Sequence, residues 1–123
     1  TIVAHSMGVA HGLEAAESLA KEGIEAEVIN LRSIRPLDID AIVESVKKTN
    51  RLVTVEGGFP AFGLGSEICA QVMETEAFDY LDAPVERVTG ADVPTPYAYN
   101  IETLSFATSE IVAKATKRAL YRV

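Results

Sequence analysis

A chain of 123 residues, almost half of them apolar, is the size of one domain and long enough to bury a real core. Its 18 acidic against 11 basic side chains give a net charge of −7, which argues against a nucleic-acid partner, because phosphate neutralisation needs a basic face. No stretch approaches the ~20 uninterrupted apolar residues of a membrane helix, and the single cysteine, Cys69, excludes an internal disulfide and any multi-cysteine metal site.

Strand and helix patterns alternate four times. The chain begins at once with a strand, Ile2 to Ala4, without an initiator Met or a basic leader, and reads as a piece of something longer. A helix follows with Val9, Leu13, Ala16 and Leu19-Ala20 expected inward, and Gly23 stands where a left-handed residue would stop it. A second strand, Ala26 to Asn30, leads through Arg32-Ser33-Ile34-Arg35-Pro36 to a helix that Asp38 can cap, with Ile39, Ile42, Val43 and Val46 on one stripe. The third strand is Leu52 to Val55. After a glycine-rich loop from Gly57 to Gly65, Ser66 is expected to cap a helix carrying Ile68, Cys69, Val72 and Met73 on its apolar side. The fourth strand, Val85 to Thr89, precedes a loop with Pro94 and Pro96. A last helix starts near Thr108, with Ile111, Val112, Ala115, Ala119 and Leu120 expected inward and Lys114, Lys117 and Arg118 near its carboxyl end, where the helix dipole favours cations. Strands separated by helices of this length predict one three-layer α/β/α domain, residues 1–123, around a mostly parallel sheet.

In such sheets ligands sit beyond the carboxyl ends of the strands. Those ends carry His5-Ser6-Met7-Gly8, Asn30-Leu31-Arg32, Glu56-Gly57-Gly58 and Gly90-Ala91-Asp92. The first loop could offer helix amides to an anion with Ser6 as cap, although glycines such as Gly8 and Gly12 more often serve close helix packing. The Gly57–Gly65 run lacks the Gly-Lys-Ser/Thr of a phosphate loop, and Phe59 and Phe62 within it suit a subunit contact better than a ligand cradle. Arg32 and Arg35 could hold a carboxylate between them, or pair with Asp38, Asp40 or a neighbouring subunit. His5 and His11 have no sequence neighbour that makes either a credible base, so the chain taken alone offers no catalytic set and is expected to be inactive by itself.

Three long strings go further: Glu27 to Asp38 (EVINLRSIRPLD), Leu52 to Pro60 (LVTVEGGFP) and Phe78 to Pro96 (FDYLDAPVERVTGADVPTP). They closely resemble the beta subunits of the pyruvate dehydrogenase component of 2-oxo-acid dehydrogenase complexes, and the resemblance runs along the chain except for a looser tail after Tyr97. Beta subunits acting on branched-chain 2-oxo acids are similar too, but match the LDAP and VTGADVP stretches less well. A stand-alone anion- or nucleotide-binding domain is the other reading. Such a binder should be monomeric with polar loops, whereas Phe59, Phe62, Tyr97 and Tyr99 fall in loops here and favour an interface.

The resemblance implies a transketolase C-terminal-like fold, with the thiamine-binding N-terminal domain absent and an additional antiparallel strand preceding this segment in the longer subunit. It implies an α2β2 enzyme that uses thiamine diphosphate and magnesium to decarboxylate pyruvate and reductively acetylate lipoyl groups for acetyl-CoA formation, in the mitochondrial matrix or, for a bacterial form, the cytoplasm. Neither cofactor is expected on this chain. Its implied share is contact with the alpha subunit and a second beta subunit, and docking of the dihydrolipoyl acetyltransferase subunit-binding domain. The positions matching the docking residues are Glu22, Asp82 and the carboxylate of Val123. Glu22 lies near a helix carboxyl end, where the dipole disfavours an acid and points to a compensating partner.

Overall fold

The computed structural model describes residues 1–122; Val123 lies outside the described residues. Four parallel strands, β1 (Ile2–Ala4), β2 (Val28–Asn30), β3 (Val53–Val55) and β4 (Glu86–Val88), form one sheet in the order β2-β1-β3-β4. Each is only three residues long, shorter than the apolar runs in the sequence. Chain direction across the sheet reverses between β1 and β3, so a crevice opens between the loops that follow them.

Side-chain alternation along these strands divides the core into two layers. Ile2, Ala4, Val53, Val55 and Val88 pack with α1 (Met7–Ala20) and α5 (Ser109–Ala119). Val3 and Leu52 face the opposite way, onto α2 (Ile39–Thr49) and α3 (Leu64–Met73), where Ile42, Val46, Ile68 and Val72 are buried. The three-layer architecture expected from the sequence is therefore present. Thr1 ties the start of β1 to α2 through its hydroxyl, 2.6 Å from Ser45 Oγ, so this buried polar corner is satisfied internally.

Helix ends obey their sequence signals in part. Asp38 accepts from the Ala41 amide at 3.1 Å, Thr108 accepts from the Ile111 amide, and Gly23 takes φ +76° after α1. Ser66 is not the cap of α3: the helix begins two residues earlier, after Gly63, and the Ser66 hydroxyl donates to Pro60 O instead. Segments expected as loop include a 3-10 turn, Glu76–Tyr80, and a short helix α4 (Tyr99–Glu102) followed by a second 3-10 turn.

Four inward assignments are overturned. α1 presents Gly8, Gly12, Ala15 and Leu19 to the sheet, which leaves Leu13 and Ala20 exposed. The buried stripe is one residue out of phase with the expected one, about 100° of rotation. Its glycines let the helix come close: a Cβ on Gly8 would lie 3.1 Å from Val55 O. Met73 on α3 and Ile111 on α5 are exposed as well, because Val72 and Val112 hold the inward positions beside them.

Candidate functional site

At the carboxyl end of the sheet, the glycine-rich loop is organised around Glu56. This acid follows β3, is buried, and accepts amide hydrogens from Leu64 and Gly65 at 2.9 Å each, closing the amino end of α3. The loop glycines give the carboxylate its space: a Cβ on Gly63 would lie 2.5 Å from Glu56 Oε1, and one on Gly65 2.6 Å from Thr54 Oγ1. Arg87 on β4 braces the loop from below, donating to Pro60 O at 2.8 Å and to Ser66 Oγ at 2.7 Å. Sequence reasoning missed Glu56. The available signal was an acid continuing a buried strand, eight residues before a helix whose first residues offer no capping side chain.

The crevice between the β1 and β3 loops holds a cavity of about 520 Å³, with His5, Ser6, His11, Glu56, Gly57 and Phe106 on its walls. His5 Nδ1 is buried without a hydrogen-bond partner among the described residues. Among the described residues no hydrogen bond joins either histidine to a hydroxyl or carboxylate, so this geometry assembles no nucleophile–base pair. Ser6 stands at the start of α1 with φ +51° and makes no side-chain cap. Arg32 borders a recess with His5, Ser6 and Asn30, and Arg35 borders a groove with Leu37, Phe62 and Leu64, with Ile34 on the wall of both. Among the described residues neither pairs with Asp38 or Asp40, which corrects the intrachain alternative.

Around this end the surface is apolar. Phe62 and Tyr97 are wholly exposed, and Phe59, Tyr99, Leu104 and Phe106 are exposed in part. Phe62 also holds φ +56°, a left-handed conformation that is costly for a bulky side chain. An aromatic kept both strained and bare contributes nothing to this domain's own core. Exposed apolar rims of this kind are the surfaces that protein–protein contacts use.

The amino end of the sheet is different in character. Four ion pairs cluster there: Glu22–Lys117 at 2.6 Å, Asp82–Arg51 at 2.9 Å, Glu86–Arg118 at 2.8 Å, and Glu27–Lys48. The Lys48 ammonium, bonded to the Glu27 carboxylate, holds that acid below its ordinary range against the opposing effect of burial. The cation required near Glu22 is thus Lys117, in the last turn of α5. Glu22 and Asp82 come together at one end of the molecule through α5: Lys117 meets Glu22, and Arg51, the partner of Asp82, donates from Nε to Ala119 O at 2.7 Å. Both carboxylates keep half or more of their side chain exposed, at 50% and 63%. Val123, the third expected docking position, lies outside the described residues. Cys69 is half-buried rather than fully buried, and burial raises its thiol pKa.

The transketolase C-terminal domain family matches residues 1–112. The chain is 61% identical over 121 residues to "Pyruvate dehydrogenase E1 component subunit beta, mitochondrial" of Saccharomyces cerevisiae, covering 98% of this chain and 33% of that protein. It is 62% identical over 120 residues to the protein of the same name from Rattus norvegicus, with coverage of 98% and 33%. The solved structure "Split gene transketolase, inactive beta4 tetramer" superposes with a TM-score of 0.82 at 32% identity, over 98% of this chain and 37% of that one. The chain spans about a third of the length of the curated relatives it matches.

Proposed function

The chain belongs to the transketolase C-terminal domain family, and from that premise we propose that it is the C-terminal domain of a pyruvate dehydrogenase beta subunit, working in assembly and docking. The whole enzyme decarboxylates pyruvate and reductively acetylates a lipoyl group for acetyl-CoA formation. This domain meets the alpha subunit and a second beta subunit through its apolar carboxyl-end rim. It receives the acetyltransferase subunit-binding domain at Glu22 and Asp82, with Val123 the third proposed position. The mitochondrial matrix is the proposed location, in line with the names of the relatives.

The observation that carries this reading is the contrast at the carboxyl end. Its one buried acid is consumed in capping α3, while Phe62 and Tyr97 stand fully exposed. That chemistry suits a surface to be covered and not a reaction centre. Thiamine diphosphate and magnesium do not fit here. Both Glu56 oxygens already accept helix amides, so a metal ion would compete with the cap of α3, and a carboxylate in the crevice would repel a diphosphate. Among the described residues no group of three His, Cys, Asp or Glu side chains is placed to hold a metal ion. We place both cofactors on other parts of the assembly.

The test is substrate selectivity of the full-length subunit co-purified with its alpha subunit. Thiamine-dependent acetyl-CoA formation from pyruvate is expected. A preference for branched-chain 2-oxo acids would assign the chain to the other beta-subunit class.

A further inference from the structure

Arg51 stands at the junction of three separate pieces of chain. It immediately precedes the buried core of β3, and its side chain is only 22% exposed. Nε donates to Ala119 O, the end of α5, at 2.7 Å. Nη1 donates to Asn50 O at 3.1 Å and lies 2.9 Å from Asp82 Oδ2. The guanidinium carbon sits 6.0 Å from the ring centroid of Tyr121, beyond the end of α5. Its neighbour Asn50, in a left-handed conformation at φ +60°, fastens the same loop. Asn50 O accepts from the Asp82 amide at 3.1 Å, and Asn50 Nδ2 donates to Tyr80 O at 2.8 Å.

We propose that Arg51 is a positioning residue of the docking face, fixing the Asp82 carboxylate relative to the carboxyl end of α5 so that a cationic partner domain meets both in one ready-made arrangement. The proposal rests on the docking reading of Asp82 given above. Only a planar guanidinium reaches two carbonyls and a carboxylate from one side chain; an ammonium at this position would keep the charge and lose the fork. Because two main-chain carbonyls also anchor it, Arg51 is not free to leave when a partner cation arrives. The Asp82 side chain, 63% exposed, still presents itself to solvent. What Arg51 contributes is order: the partner does not have to immobilise the loop and the helix end as it binds.

The experiment titrates an acetyltransferase subunit-binding domain into the full-length subunit assembled with its alpha subunit, by calorimetry. The variants are Asp82→Asn, Arg51→Gln, Arg51→Lys and the Asp82→Asn/Arg51→Gln double. Asp82→Asn and Arg51→Gln are each expected to weaken binding by about tenfold, with the double variant falling well short of the product of the two. Arg51→Lys, the variant least disturbing to charge and fold, is expected to weaken binding as well, with a smaller drop in the midpoint of thermal unfolding than Arg51→Gln. Unchanged or tighter binding in Arg51→Gln and Arg51→Lys, beside weakened binding in Asp82→Asn, overturns the positioning role and leaves docking standing. Full affinity in Asp82→Asn overturns the docking reading itself, and the positioning role with it.

Discussion

Lys117, in the last turn of α5, holds Glu22, ninety-five residues earlier at the end of α1, at 2.6 Å. The pair answers an electrostatic problem set by the sequence, an acid beside the negative end of its own helix, with the cation that another helix end prefers. It also means that the proposed docking acid already has an intrachain partner. Lys117→Met is therefore expected to change stability by no more than about 1 kcal/mol, because the pair is half-exposed. The same variant should bind a cationic subunit-binding domain more tightly at low salt, whereas Glu22→Gln binds it more weakly. Calorimetric titration at two ionic strengths measures both.

Glu56 and the glycines around it predict a destabilisation of opposite origin at neighbouring sites. Glu56→Ala strips two helix amides of their acceptor in a buried place and is expected to cost about 1–3 kcal/mol. Gly65→Ala keeps the acceptor but drives a methyl group against Thr54 Oγ1, and should cost about 1–3 kcal/mol through overpacking. Urea denaturation gives both values. Wild-type stability in either variant would contradict the account of the loop.

Phe62 offers a test in which stability and assembly move in opposite directions. Asparagine tolerates the left-handed conformation that phenylalanine holds at a cost, so Phe62→Asn should leave the domain as stable or slightly more so. If the rim is a subunit contact, losing a central aromatic costs about 1 kcal/mol or more of association. Sedimentation of the assembled enzyme across a dilution series reads the loss.

The pH dependence follows from Glu27. Its folded-state pKa is depressed by Lys48, so its stabilising effect is present above the unfolded value of about 4.3 and is lost as pH falls through the folded value. At neutral pH, Lys48→Met should be less stable than wild type by up to about 1 kcal/mol, a small figure because Lys48 is largely exposed. The difference should close as the pH falls below the unfolded value of about 4.3 and through the lower folded value, measured by denaturant titration at each pH.

What could be read from the sequence was local. Asp38 and Thr108 announce helix starts because a cap is a bond between residues three apart, and Gly23 announces a stop because its own φ requires it. The alternation of strand and helix gives the layers. Leu13 was misread because periodicity counts apolar side chains, while the face α1 buries is defined partly by two glycines that have none. Ser66 was misread because Glu56, eight residues before the first residue of α3, already serves the amino end of that helix. Glu22 and Asp82 were named from resemblance, but their partners Lys117 and Arg51 are distant in sequence and meet them only through packing at the end of α5.

The central claim, that this chain docks and assembles while the reactive groups lie elsewhere, is tested most directly by Asp82→Asn in the full-length, assembled enzyme. Pyruvate decarboxylation with an artificial electron acceptor is to be measured beside affinity for the acetyltransferase subunit-binding domain. The account predicts unchanged decarboxylation and weakened docking; reduced decarboxylation with docking intact would contradict it.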